Sequence, residues 1–323
     1  MTTTIDGVLM QWGDRLFYPG NRRVPSPPGA DGGAKRSSAA HIRARIAATV
    51  ARRAPQVVVK VTGGGRGMGA IAAHLRYISK GGRLPFVDDR GVEREGREAL
   101  QDLVEQWRLG GERIPETSHR REAFNIMLSM PAGTPPEIVH RAAREFAQVE
   151  LAGHRYVMVL HTHQANPHVH LSVRASGKEG QRLNPRKADL HRWRETFAER
   201  LRGWGIDAEA SSQATRGATR RSLRVWECQP GMAARTQPRG EHKTGANARA
   251  TRRTALQAWA EISKALAASG DLEDRQLSRS IGEFLLQSDV GQAVRRHRAG
   301  MGLAPELRQV PAVHPDRGPV PGR

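Results

Sequence analysis

The alternation of apolar and polar positions changes period several times along this chain, and each change predicts an element. Residues 56–61 (QVVVKV) form a β-branched run that reads as a strand, 63–69 (GGGRGMG) as a loop, and 70–80 as a helix. Residues 84–90 read as a short strand or loop, 97–108 as a helix, and 124–130 (FNIMLSM) as a strand. The helix that follows is expected to use Thr134 as its N-cap, Pro135 in the first turn and Glu137 three residues on, and to run to about residue 150. Two strands come next, 156–161 (YVMVLH) and 168–173 (HVHLSV), joined by a connection so short that they must form an antiparallel hairpin. Residues 187–204 read as a basic amphipathic helix, and 254–268 and 272–286 as two more helices.

Three stretches lack this periodicity. Residues 19–39 are rich in Pro, Gly and Ser, with an Arg-punctuated helix at 41–53 after them; 208–224 are Gly, Ala, Ser and Arg; and the chain from residue 300 onward is Pro- and Arg-rich. The expected organisation is therefore a largely flexible basic extension at 1–54, a principal domain at 55–222, and a helical and disordered region at 223–323. Composition agrees, because only 38% of residues are hydrophobic and 5% aromatic, with 34 Gly and 19 Pro, so part of the chain is expected to lie outside a compact core.

Charge narrows the partner. Lys and Arg total 52 against 32 Asp and Glu, a formal net charge of +20, which attracts a polyanion. With no apolar run of membrane-span length and no signal-peptide pattern, nucleic acid is the expected partner and the cytoplasm the expected compartment. Cys228 is the single cysteine, so an internal disulfide and a thiolate-rich zinc site are both excluded within one chain.

Four of the 13 histidines fall within ten residues: His161, His163, His168 and His170. Strand residues two apart share a face, so His168 and His170 point together, and the hairpin brings His161 opposite them. Three neutral imidazoles without a competing thiolate leave coordination positions open on a divalent ion, as in a catalytic site. The alternative, polar residues on a solvated hairpin, suits a single histidine better than three on one face. His163, in the connection, is compatible with a fourth ligand, a partner to a ligand ring, or a solvent-facing side chain; the second is the favoured reading.

A metal beside a basic surface suits either hydrolysis by water or transfer to a side chain. The chain has only Tyr18, Tyr77 and Tyr156. Tyr18 lies in the extension, and Tyr156 opens an apolar strand where a core role is expected. Tyr77 stands near a helix end among Arg76, Lys80 and Arg83, cations that stabilise a phenolate and draw in phosphate. A ring packed under a basic helix is the competing explanation.

These residues together resemble the relaxases, or mobilisation nucleases, of conjugative plasmids, close to the Ti-plasmid border endonuclease and MobA-like group of HUH type. Tyr77-Ile-Ser-Lys-Gly-Gly-Arg83 resembles the first motif with its nucleophilic tyrosine, and Leu128-Ser-Met-Pro-Ala-Gly-Thr134 the second. The histidine hairpin resembles the third, and the likeness covers about residues 55–220. It implies an α+β fold with a central antiparallel sheet flanked by helices, the histidine hairpin at its centre and the tyrosine helix above. It also implies His161, His168 and His170 as ligands of a divalent metal, with Mg2+ or Mn2+ preferred and Zn2+ an alternative. Tyr77 is implied as nucleophile on single-stranded plasmid transfer-origin DNA, through a 5′-phosphotyrosine link that is later religated. One departure is that His163 stands where the family usually carries an acidic residue, which puts metal affinity in question.

Ser129 is carried over as a DNA-phosphate contact. Arg66, Arg76, Lys80, Arg83, Arg186 and Lys187 are candidates for backbone contacts, each individually close to an ordinary surface charge but together steepening the salt dependence of binding. By the same likeness, relaxosome accessory proteins or a type IV coupling protein are partners for the C-terminal region, with a solvated tail as the alternative. Aromatics for base stacking are scarce, and Trp193 and Trp204 are expected in helix cores. Two rival functions stay open: a catalytically impaired DNA-binding accessory protein, and a metal hydrolase that uses water.

Overall fold

The computed structural model describes residues 4–18, 39–219 and 242–298. The expected flexible run at 19–38, the boundary at 222 and the tail from residue 300 lie outside the described residues.

The central element is a six-stranded antiparallel sheet in the order β1-β4-β6-β5-β2-β3. Its strands are β1 (Val58–Gly63), β2 (Phe86–Asp88), β3 (Glu93–Arg94), β4 (Ala123–Ser129), β5 (His154–His161) and β6 (His168–Gly177). The antiparallel hairpin β5–β6, which the short connection requires, is central, as the family resemblance implies. Alternation then assigns the faces. Ile126, Leu128, Met158, Val169, Leu171 and Val173 point to one side, where α5 (Pro136–Glu150) and α6 (Lys187–Gly203) cover them with Phe146, Trp193 and Phe197. Val157, Val159 and Ala123 point to the other, where α3 (Met68–Ile78) and α4 (Arg97–Leu109) contribute Ile71, Leu75, Leu103 and Trp107. The fold is thus α+β with helices on both faces of an antiparallel sheet.

Two local expectations change. Helix α5 starts at Pro136 with Pro135 at the cap position, and the Thr134 hydroxyl instead donates to the Pro131 carbonyl at 3.0 Å. Trp193 is buried, but Trp204 is 40% exposed, its indole N–H satisfied by Glu145, because it lies just past the last turn of α6.

A larger correction concerns the expected flexible extension at 1–54. The helix expected at 41–53 is present as α2 (Ala39–Val50), α1 (Ile5–Phe17) is an additional one, and both share a second core with α7 (Ala246–Ala267) and α8 (Leu272–Gln287). In α1, Leu9, Leu16 and Phe17 recur on one face, and Thr4 caps the helix by accepting from the Gly7 amide. Trp259 is the centre: fully buried, edge-on to Phe17 with ring centroids 6.3 Å apart, close to Phe284, and bonded through its indole N–H to the Thr215 carbonyl. A short further helix, α9 (Asp289–Arg298), follows where no element was expected. The two cores meet at Arg45, which is buried on α2 between Glu209 and Glu195.

Truncating Trp259 to alanine removes the anchor shared by helices from the two ends of the chain. The expected loss is about 3–5 kcal/mol, the usual range for a buried large aromatic. Urea unfolding followed by far-UV dichroism measures it; an unchanged midpoint would mean that the ends do not share a core.

Candidate active site

Sheet register builds the histidine cluster. Ser129, His168 and His161 occupy one cross-strand row on β4, β6 and β5, and His170 sits in the next row between Met127 and Val159. All four side chains share parity with Val157 and Val159, so they face the α3 side. The rings converge, with centroids 5.1 Å apart for His161 and His168, 4.6 Å for His161 and His170, and 5.0 Å for His168 and His170. Their candidate ligand nitrogens all lie within 4.8 Å of one another.

Neighbouring backbone fixes the tautomers of two rings. His161 Nε2 donates to the Ile78 carbonyl at 2.6 Å, and His168 Nδ1 donates to the Asn166 carbonyl at 2.9 Å. A carbonyl only accepts, so these nitrogens carry the protons and each ring keeps one lone pair. His170 Nδ1 is buried without a hydrogen-bond partner. Desolvation, reinforced by the adjacent imidazoles, pushes His170 down to about 3, and desolvation also lowers His161 despite its bond to Ile78. Closely spaced imidazoles, His161 and His170 among them favoured in the neutral form, with a buried nitrogen unsatisfied, fit a divalent cation.

The tyrosine arrives from the end of α3. Ser79, Lys80 and Gly81 close that helix in a Schellman turn: the Gly81 amide reaches the Arg76 carbonyl and the Lys80 amide the Tyr77 carbonyl. Lys80 and Gly81 have φ of 51° and 73°. The buried Ser79 hydroxyl donates to the Leu75 carbonyl and accepts from the Gly82 amide. A side chain at Gly82 would strike the Gly96 backbone, so the Ser-Lys-Gly-Gly run is explained by the turn that aims the helix end. Ile78 O meets His161, and Tyr77, the residue before it, is 64% exposed with its ring beside that of His74.

Residues 77–206 match the family model described as relaxase, MobA/VirD2-like, nuclease domain. The chain carries a relaxase nuclease domain. No curated protein matches it at a significant level. The match begins at Tyr77 and runs through the histidine hairpin and α6. It supports a DNA-acting nuclease whose histidine triad can hold a metal ion.

Within and beside the relaxase domain, the remaining candidates separate. Lys80 lies near His161 and His163, and its charge lowers both imidazoles after the effect of desolvation. His163 is exposed, with its ring centroid 5.0 Å from that of His161, and no hydrogen bond joins it to a triad ring among the described residues. Backbone carbonyls of Ile78 and Asn166 orient His161 and His168. Ser129 is 7% exposed, and its hydroxyl donates to the Pro167 carbonyl at 3.2 Å, tying β4 to the hairpin connection.

Arg83 folds back so that its Nε donates to the Lys80 carbonyl, and Arg76 stays exposed on α3. Arg66 precedes the opposite end of α3, about 16 Å away along the helix by its rise per residue. Arg186 and Lys187 begin α6, the helix on the sheet's other face, so they are not gathered at the triad. Among the described residues no helix is long and apolar enough to cross a membrane.

Two groups near the triad escaped sequence reasoning. His74 lies one turn before Tyr77, with ring centroids 6.5 Å apart, and its buried Nε2 has no partner. Burial holds it down to about 4, and its charge would act on His170. Lys60 of β1 lies in the row of Met127 and His170, and its ammonium is lowered by desolvation and by Lys243. The i, i+3 spacing from His74 to Tyr77 was the available signal for the first.

Buried neutral histidines make stability depend on pH in a definite sense. His74 and His191 both sit near about 4, against an ordinary value near 6.5. Between those values the unfolded chain binds protons that the folded chain does not, so stability falls as pH falls. Each group contributes at most about 1.4 kcal/mol per pH unit, hence on the order of 2–4 kcal/mol for the pair between pH 6.5 and 5. Urea midpoints of the metal-free protein in chelator are expected to drop over that interval, and His74→Gln to flatten the slope. Midpoints that stay level would contradict these buried, neutral states.

Proposed function

We propose that the protein is a conjugative or mobilisation relaxase that nicks one strand of plasmid transfer-origin DNA by tyrosine transesterification. What supports this reading above all is the bond from His161 to the Ile78 carbonyl, which ties the residue after Tyr77 directly to the histidine triad.

In the proposed reaction the Tyr77 oxygen bonds to the scissile phosphorus as the P–O3′ bond breaks. The phenolic proton is given up, the 3′-oxygen leaves as a hydroxyl, and the 5′-phosphate stays esterified to Tyr77. One phosphodiester is exchanged for another, so religation by attack of the 3′-hydroxyl needs no nucleotide cofactor. His161, His168 and His170 would hold a divalent cation, Mg2+ or Mn2+ preferred and Zn2+ an alternative, that draws charge from the phosphate oxygens. Lys80 adds positive charge at the triad's rim, where the phosphate would sit. The turn at 79–82 keeps the helix end in register with the sheet, which favours in-line approach. The cytoplasm of a donor cell is the proposed setting, and relaxosome or coupling proteins are proposed partners of the C-terminal region.

The test is incubation of the full chain with Mn2+ and a labelled, randomised single-stranded DNA library, followed by denaturing electrophoresis. A protein band carrying label, with one sequence enriched in it, is expected. Tight binding without any covalent band would instead favour the accessory-protein reading.

A further inference from the structure

Between α3 and α4, beside the helix end that carries Tyr77, lies a cleft of about 650 Å³. Its wall on α4 is one helical stripe: Arg97, Leu100, Val104 and Arg108 recur at spacings of three or four residues. Arg76 and Gly81 close the side nearest Tyr77. The floor is apolar, since Leu100 and Val104 are buried, while Arg76 and Arg97 are exposed at its rim.

The charges in this cleft are unevenly matched. Arg108 is paired with Glu105 at 3.0 Å and Glu116 at 3.3 Å. Arg76 and Arg97 have no ion pair or hydrogen bond from their guanidinium groups among the described residues. Two uncompensated guanidinium groups over an apolar floor match a nucleotide unit, which offers a phosphate and a flat base together. Guanidinium planes also stack on bases, which supplements the aromatic platforms that are scarce in this chain.

We propose that the α3–α4 cleft binds the single strand next to the scissile phosphate, with phosphate on Arg76 and Arg97 and a base against Leu100 and Val104. The inference rests on the proposed nuclease function and adds a path for the strand: away from Tyr77 along α4 rather than toward Arg186 and Lys187 on the other face of the sheet.

The full chain carrying p-benzoylphenylalanine in place of Gln101, which also lines the cleft, is expected to photocrosslink to labelled oligo(dT) of about twenty nucleotides, a length that covers a single-strand site. Arg97→Glu should weaken oligo(dT) binding about tenfold at moderate salt and reduce the log–log salt slope by about 0.7, the share of one phosphate contact. Arg97→Lys should restore most of the binding, and Arg275→Glu, an equal charge change at an exposed position of α8, should alter it less than twofold. Equal effects of Arg97→Glu and Arg275→Glu, or no crosslink at 101, overturn the proposal. Scoring the covalent adduct on the library in parallel separates the two ideas: a lost crosslink with an intact adduct defeats the cleft alone, and an intact crosslink without an adduct defeats the nuclease reading.

Discussion

Tyr77→Phe is expected to abolish the covalent protein–DNA adduct, with cleavage falling at least about a thousandfold, because the variant keeps the ring and deletes the atom proposed to attack phosphorus. A thousandfold is about 4 kcal/mol of transition-state stabilisation at 1.36 kcal/mol per decade, a magnitude that lost packing at this position does not supply. Tyr77 is 64% exposed and its ring meets only His74 among the described aromatic contacts, so stability should move by no more than about 0.5 kcal/mol. DNA affinity should stay within about twofold, since backbone phosphates meet cations rather than the phenol. Denaturing electrophoresis, fluorescence anisotropy and urea unfolding read these three quantities. An adduct that persists in the variant removes Tyr77 as sole nucleophile, and free 5′-phosphate product at an unchanged rate assigns the attack to water.

His168→Ala comes second in size. His168 is 5% exposed, its ring lies 5.1 Å from that of His161 and 5.0 Å from that of His170, and it is oriented through the Asn166 carbonyl, so its removal leaves two imidazoles that hold a cation poorly. Metal content after gel filtration should fall below half, and adduct formation by on the order of a hundredfold or more, because phosphate charge is then uncompensated. The fold should persist. The deleted ring makes one hydrogen bond, to a local carbonyl, whereas the neighbouring strand residues Val169 and Leu171 carry the packing. Unchanged metal content would remove the triad as the metal centre. Loss of metal with adduct formation intact would show that the cation is not needed for the transfer.

Much of the site was legible because it is written in local periodicity. A strand alternates faces whatever surrounds it, so His168 and His170 had to point together, and a six-residue connection had to return His161 opposite them. The Ser79–Gly82 run likewise signals a helix end that needs left-handed backbone. The helix in residues 5–17 was missed although its apolar spacing is regular, because a basic, Pro-flanked terminus drew the reading toward flexibility.

What the amino-acid order determined by itself was the set of elements, the face on which each histidine sits and the placement of a tyrosine at a helix end, since these follow from short-range sterics and spacing. Only the tertiary structure decided which surfaces meet. It set the Ile78 carbonyl against a ring 83 residues away, brought His74 to the triad, turned the Ser129 hydroxyl inward and sent α6 with Arg186 to the far face. It also joined α1 and α2 to α7 and α8 across nearly the whole chain. Such encounters are selected by the total apolar area that the folded chain can bury, and that sum leaves no mark in any short window of sequence.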